Sequence, residues 1–304
     1  MQKPEEYWRR LNWVKRHQSQ LKNHNHRQPV DLSIDTRITL NHGTSIPVLG
    51  LGVYQTRAGR MAERAVGCAL ETGYRHVDTA SMYGNEKSVG RAVHHSGLDR
   101  KEVFVTTKLW NSDHGYRRAI RACHKSLDRL GLEYIDLYLI HWPVEDLRID
   151  SWRALEKLYE EGVCRAIGVS NYMIWHLEEL LASCSVVPAV NQVEFSPFLF
   201  QRDLLDFCNR EGIQLEAYSP LTKGRRLNHK ELMAMADDYG RTPAQILIRW
   251  ALQHDLVVIP KSANPDRIRE NSQVFDFTIS SEHMKQLDSL NEDMRTSWDP
   301  STQP

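Results

Sequence analysis

The sequence predicts an α/β protein in which eight parallel strands close into a barrel, with helices on the outside. Three observations predict it. Near-continuous apolar runs of strand length alternate with longer amphipathic segments through most of the chain, which is the pattern of strands buried on both faces. The number of such strand-then-helix units is eight, enough to close a parallel sheet on itself. A doubly wound open sheet is the alternative, and it lacks its signature: Gly50 and Gly52 have no third glycine in a G-x-G-x-x-G turn and precede no immediate helix.

The elements follow in chain order. Residues 1–36 form a basic extension with seven Lys/Arg against two acids in the first thirty residues. Tyr7, Trp8, Leu11 and Val14 sit at helical spacing among Arg9, Arg10, Lys15 and Arg16. They read either as an amphipathic helix for a membrane surface or partner, or as a partly disordered extension. From residue 37 to 304 the pattern is regular. RITL, a turn at NHGT and IPVL read as a β-hairpin, placed to plug the lower end of the barrel. The barrel strands read as LGLGVY (49–54), HVDTA, VFVTTKL, IDLYLIHW, CRAIGVSN, AVNQVEFS, QLEAYSP and VVIPKS. Helical segments separate them: AGRMAERAVGCALETG, NEKSVGRAVHHSG, YRRAIRACHKSLDRLG, SWRALEKLYEEG from Ser151, WHLEELLASC, QRDLLDFCNREG and TPAQILIRWALQHD, with NPDRIRENSQVF after the last strand. Many end in a glycine where a helix hands over to a short loop.

Composition narrows the function. At 304 residues, 41% hydrophobic and 26% charged, the chain can bury a large core. Its formal net charge of zero gives no reason to expect nucleic acid as a partner. Five scattered cysteines without a C-x-x-C pair fit reduced thiols in a cytoplasmic protein better than disulfides or a metal centre. No apolar run approaches the roughly 18 residues of a membrane span.

The chemistry concentrates at strand ends. Asp78 and Tyr83 sit in HVDTASMYGNE, Lys108 in VFVTTKLW, and His141 in IDLYLIHWP. In a parallel barrel these ends share one face, where side chains from separate strands meet. A phenol is a poor proton donor at neutral pH, and a nearby ammonium is expected to lower its pKa. Lys108 is that cation, and Asp78 supplies the charge a buried lysine needs. His141 can hold a carbonyl oxygen. Each alone has an ordinary reading: a strand-end Asp as a helix cap, a Tyr as packing, Trp142 as core. Together they form a site that protonates an oxygen as negative charge develops on it.

With these residues in place, the chain resembles the aldo-keto reductases. VDTASMYGNE, TTKLW, LIHWP, GVSNY, NQVEFSP, EAYSPL and IPKS stand in that family's order, over residues 37–296. The resemblance implies a (β/α)8 TIM barrel that binds NADP(H) across the C-terminal ends of its strands. It also implies a catalytic tetrad of Asp78, Tyr83, Lys108 and His141, with Tyr83 as general acid. Tyr54, Trp110 and Trp142 would join His141 around a small-molecule carbonyl substrate. Gly52, Val53 and Tyr54 would lie along the cofactor, and Ser170, Asn171 and Gln192 would hold the nicotinamide carboxamide. Tyr218 would stack on the ring, and Ser219, Leu221 and Lys223 would line the pyrophosphate. Lys261, Ser262, Asn264, Arg267 and Asn271 would hold the adenosine 2′-phosphate; two cations and a hydroxyl within seven residues suit a dianion better than a ribose hydroxyl. The other reading of Lys261 and Arg267 is a solvated helix start.

Tyr54, Lys223 and Asn264 depart from the commonest family residues. Short loops after LIHWP, with the next helix expected at Ser151, and after EAYSPL, with a short tail after Leu290, imply an open site. They resemble the microbial branch of glyoxal, methylglyoxal and diketogluconate reductases and protist prostaglandin F synthases. A monomer is expected. The rival expectation is a non-catalytic NADP-binding scaffold that docks through the N-terminal extension.

Overall fold

The computed structural model describes residues 32–302. The expectations for the extension therefore lie outside the described residues as far as residue 31. A turn with Thr36 N–H donating to the Ser33 carbonyl (3.0 Å) leads into the hairpin β1 (Arg37–Thr39) and β2 (Ser45–Pro47), which pair antiparallel as expected. Leu40 and Ile46 pack with Phe104, Ala189, Val190 and Val257, residues at or beside the beginnings of barrel strands. Asn41 donates to the carbonyls of Pro188 and Gly212, and Thr44 to that of Arg165. Apolar contact and hydrogen bonds together fix the hairpin across the N-terminal end of the barrel.

The barrel strands are β3 (Leu51–Gly52), β4 (His76–Asp78), β5 (Phe104–Leu109), β6 (Ile135–Ile140), β7 (Cys164–Ser170), β8 (Val190–Glu194), β9 (Gln214–Tyr218) and β10 (Val257–Ile259). They lie in chain order, each parallel to the next. The ring closes where the first strand meets the last. Gly50 N–H donates to Val258 O (2.9 Å), Val258 N–H to Val48 O (2.9 Å) and Gly52 N–H to Pro260 O (3.2 Å). This is the (β/α)8 topology that the sequence predicts, at the expected places.

Outside run α1 (Arg60–Glu71), α2 (Glu86–His95), α3 (Tyr116–Leu130), α4 (Arg148–Glu160), α5 (Ile174–Ser183), α6 (Arg202–Glu211), α7 (Lys230–Tyr239), α8 (Pro243–Gln253), α9 (Pro265–Ser272) and α10 (Ser281–Asp288). Gly131, Gly212 and Gly240 end α3, α6 and α7 in the left-handed conformation that glycine adopts without a Cβ penalty. The structure corrects two expectations. α4 begins at Arg148 rather than Ser151, so the link after His141 is shorter than the sequence suggests. α7 and α10 are additional helices, and neither carries a long apolar stripe: only Leu232, Met235 and Ala236 are buried in α7, and only Leu287 in α10. The five cysteines are free thiols, and no described helix is long and apolar enough to cross a membrane.

Candidate active site

A cleft of about 920 Å³ opens at the C-terminal ends of the strands. One wall begins at β4. The chain leaves Asp78 and makes a single 3-10 turn over Ser81–Tyr83, ended by Gly84 at φ 68°. Asn85 fastens this loop: its amide donates to the carbonyls of Val53 (2.9 Å) and Thr56 (3.0 Å) and its oxygen accepts from Thr79 Oγ1 (2.7 Å). Ser81 Oγ donates to the Lys108 carbonyl at 2.9 Å. Tyr83 is thereby held against β5, with its ring 4.9 Å from Tyr54 and 5.7 Å from His141.

The four strand-end groups do meet. Lys108 Nζ lies 2.6 and 2.7 Å from the two Asp78 carboxylate oxygens, 2.9 Å from the Thr79 carbonyl and 3.5 Å from Tyr83 Oη. The lysine side chain is wholly buried. A buried ion pair of this kind survives because both charges are hydrogen-bonded; here Gln192 Nε2 also donates to Asp78 at 2.8 Å.

The electrostatics differ from expectation at Tyr83. Burial, reinforced by the Asp78 charge, raises its pKa well above the usual phenol range rather than lowering it. The Lys108 charge is largely answered by Asp78, and Tyr83 stands half-buried in the wall of the cleft. At neutral pH Tyr83 is therefore a protonated donor. His141 is held well below its ordinary pKa by burial and by Lys108, so its imidazole is neutral. Burial also raises Asp78, against the opposing pull of Lys108 and Gln192.

Most of the residues singled out in the sequence line this one cleft: Gly52, Tyr54, Trp110, Trp142, Ser170, Asn171, Gln192, Tyr218, Ser219, Leu221, Lys223, Lys261, Ser262, Arg267 and Asn271. Two do not. Val53 is fully buried, and the Asn264 side chain caps α9 by accepting from the N–H groups of Asp266 and Arg267. Tyr218 is pinned by its hydroxyl, which donates to Asn171 Oδ1 at 2.8 Å. Asn171 Nδ2 in turn donates to the His141 carbonyl at 2.9 Å.

The tail is short, yet it reaches the cleft. Glu194 accepts hydrogen bonds from the Thr296 N–H and hydroxyl and from the Ser297 N–H. Lys223 Nζ donates to the Thr296 carbonyl at 2.6 Å, and Trp298 stands 5.5 Å from Trp142 and 6.4 Å from Trp110. The expected openness is thus reduced by a roof of tail residues. Trp298, Met82 and Gln55 also line the cleft and went unnoticed in the sequence. Trp298 lies beyond every periodic element, and only its position after the backbone caught by Glu194 brings it in.

The donor set fits a nicotinamide dinucleotide phosphate. Amide and hydroxyl groups of Ser170, Asn171 and Gln192 and the cations Lys223, Lys261 and Arg267 line the same cleft as Tyr83.

The aldo/keto reductase family model matches residues 48–292. The glyoxal reductase of Bacillus subtilis is 48% identical over 268 residues, covering 88% of this chain and 97% of that protein. The 9,11-endoperoxide prostaglandin H2 reductase of Trypanosoma cruzi is 50% identical over 266 residues, covering 86% and 94%. Among solved structures, the Bombyx mori aldo-keto reductase in complex with NADP superposes with a TM-score of 0.81 at 35% identity, covering 87% of this chain and 95% of that one.

Proposed function

Because the chain belongs to the aldo/keto reductase family, we propose that it reduces aldehydes and ketones to alcohols with NADPH, using Tyr83 as the general acid. The observation that carries this reading is the geometry around Lys108, a fully buried ammonium between a carboxylate at 2.6 Å and a phenol at 3.5 Å. When bound, NADPH supplies the hydride. Gln192, Ser170 and Asn171 would hold its carboxamide and Tyr218 its ring; Ser219, Leu221 and Lys223 would line the pyrophosphate. Lys261, Ser262, Arg267 and Asn271 would hold the 2′-phosphate.

The chain's own part is the proton. Tyr83 Oη keeps its hydrogen until a substrate oxygen gains negative charge, and an alkoxide is a far stronger base than a phenolate. As the proton leaves, the phenolate is stabilised by the Lys108 ammonium, which Asp78 holds in place. Neutral His141 donates a hydrogen bond to the same carbonyl oxygen and orients it. Around it stand Tyr54, Met82, Trp110, Trp142 and Trp298, with no acid or base among them, which supports an uncharged carbonyl substrate.

The test is NADPH consumption with a panel of small aldehydes. Tyr83→Phe should lower kcat by roughly 10²-fold or more while leaving NADPH affinity near wild type. A fully active Tyr83→Phe enzyme would remove the phenol from the mechanism, and a wild-type chain that consumes no carbonyl would remove the function.

A further inference from the structure

One buried carboxyl has no part in that chemistry. Glu216, on β9, is fully buried and is the register partner of Gln192 on β8. Gln192 Nε2 donates to Glu216 Oε2 at 3.0 Å as well as to Asp78 Oδ2 at 2.8 Å. The remaining Glu216 oxygen, Oε1, has no hydrogen-bond partner among the described residues and faces His76 Nε2 at 3.6 Å.

The amide orientation follows from charge. Asp78 is paired with the Lys108 ammonium, so the Gln192 atom facing it must be the donor nitrogen rather than the oxygen. One amide hydrogen then goes to Asp78 and the other to Glu216, and the nitrogen is fully used. Gln192 lines the cleft, and its carbonyl oxygen is the polar atom left to serve it. His76, on the far side of Glu216, is neutral: burial and Lys108 hold its pKa down to about 3. Its ring also contacts Thr106 Oγ1 at 3.1 Å, and only a glycine at position 50 leaves room for it, because a Cβ there would lie 2.6 Å from His76 Nδ1. Burial and the nearby Asp78 raise Glu216 to about 8, so at neutral pH it carries a proton. That proton belongs on Oε1, since Oε2 accepts from Gln192.

We propose that Glu216 is a positioning residue: with Asp78 it takes both amide hydrogens of Gln192 and so turns the Gln192 carbonyl oxygen toward the cleft, as acceptor for the carboxamide N–H of the nicotinamide. The proposal rests on the cofactor reading above. Without Glu216 one amide hydrogen loses its partner, and Asp78 alone must hold the group.

Binding to NADP and to its 3-acetylpyridine analogue, whose methyl ketone has no N–H to donate, tests this directly, with quenching of tryptophan fluorescence as readout. Wild type should prefer the amide cofactor by about tenfold, the factor for one well-placed hydrogen bond. E216Q, whose amide oxygen still accepts from Gln192, should keep that preference. E216L should lose most of it; E216M, similar in length to the native side chain, takes its place if leucine prevents folding. A folded Leu or Met variant that discriminates like wild type overturns the proposal, as does a wild-type chain that binds both nucleotides equally well. A wild-type chain that binds neither nucleotide removes the cofactor reading itself.

Discussion

Asp78 grips the Lys108 ammonium with both carboxylate oxygens and the Thr79 carbonyl accepts a further bond, so the cation meets Tyr83 only at 3.5 Å. That division leaves burial, the larger cause, and the Asp78 charge to push the phenol up rather than down. Spacing in the sequence shows which groups converge, but the balance between Asp78 and burial depends on distances that spacing does not contain. Glu216 was invisible for a related reason, since a glutamate inside QLEAYSP reads equally well as a solvent-facing strand residue. The cations of the cleft are better marked. Lys261 and Arg267 are set by a strand end and a helix start. Lys261→Ala with Arg267→Ala should weaken NADPH by roughly 10²-fold, as expected for two charge-assisted phosphate contacts, and NADH far less. Equal losses for the two nucleotides in a binding titration would place the phosphate elsewhere.

At the scale of elements, the strands were legible because buried parallel strands need unbroken apolar runs. Helices with wide apolar faces were equally plain. α7 and α10 were not, since few of their side chains are buried and propensity alone is a weak signal. Backbone strain was also illegible: Gln55, Asn171, Ser219 and Lys223 all have positive φ and all line the cleft, a conformation that costs non-glycine residues on the order of 1 kcal/mol each. Helix packing gives a sharper test. A Cβ on Gly90 in α2 would fall 1.7 Å from the Leu130 carbonyl oxygen at the end of α3, so the two helices would have to separate. Gly90→Ala should cost about 3 kcal/mol and lower Tm by roughly 6–12 °C. Gly67, inside α1, has nothing within 4 Å of a built Cβ, and Ala there should instead gain about 0.5–1 kcal/mol. Thermal melts that ranked the two variants alike would contradict the packing.

For the whole molecule, buried titratable groups set a pH window for stability. His76 and His114 are depressed to about 3 and about 4 by burial, and His42 and His141 are lowered too. A histidine with a depressed folded pKa contributes stability above its unfolded value near 6.5, and this is lost as pH falls through the folded value. Glu216 has the opposite sign: raised from 4.5 to about 8, it contributes most below 4.5 and loses that contribution as pH rises through 8. Above pH 6.5 the Glu216 limb dominates, and below it the four histidines outweigh Glu216 together with Asp78 and Asp136, whose carboxyls burial also raises. Tm measured against pH should therefore peak near 6.5, and E216Q should flatten the alkaline limb while keeping the acid one. An unchanged alkaline limb in E216Q would show that Glu216 is ionised in the fold. The barrel seam carries a consequence of its own. Gly50 and Val258 are bonded neighbours, so during synthesis the opening strand must wait for most of the chain before it has a companion. Until residue 258 clears the ribosome, both rims of the growing sheet offer unpaired peptide groups to any passing chain.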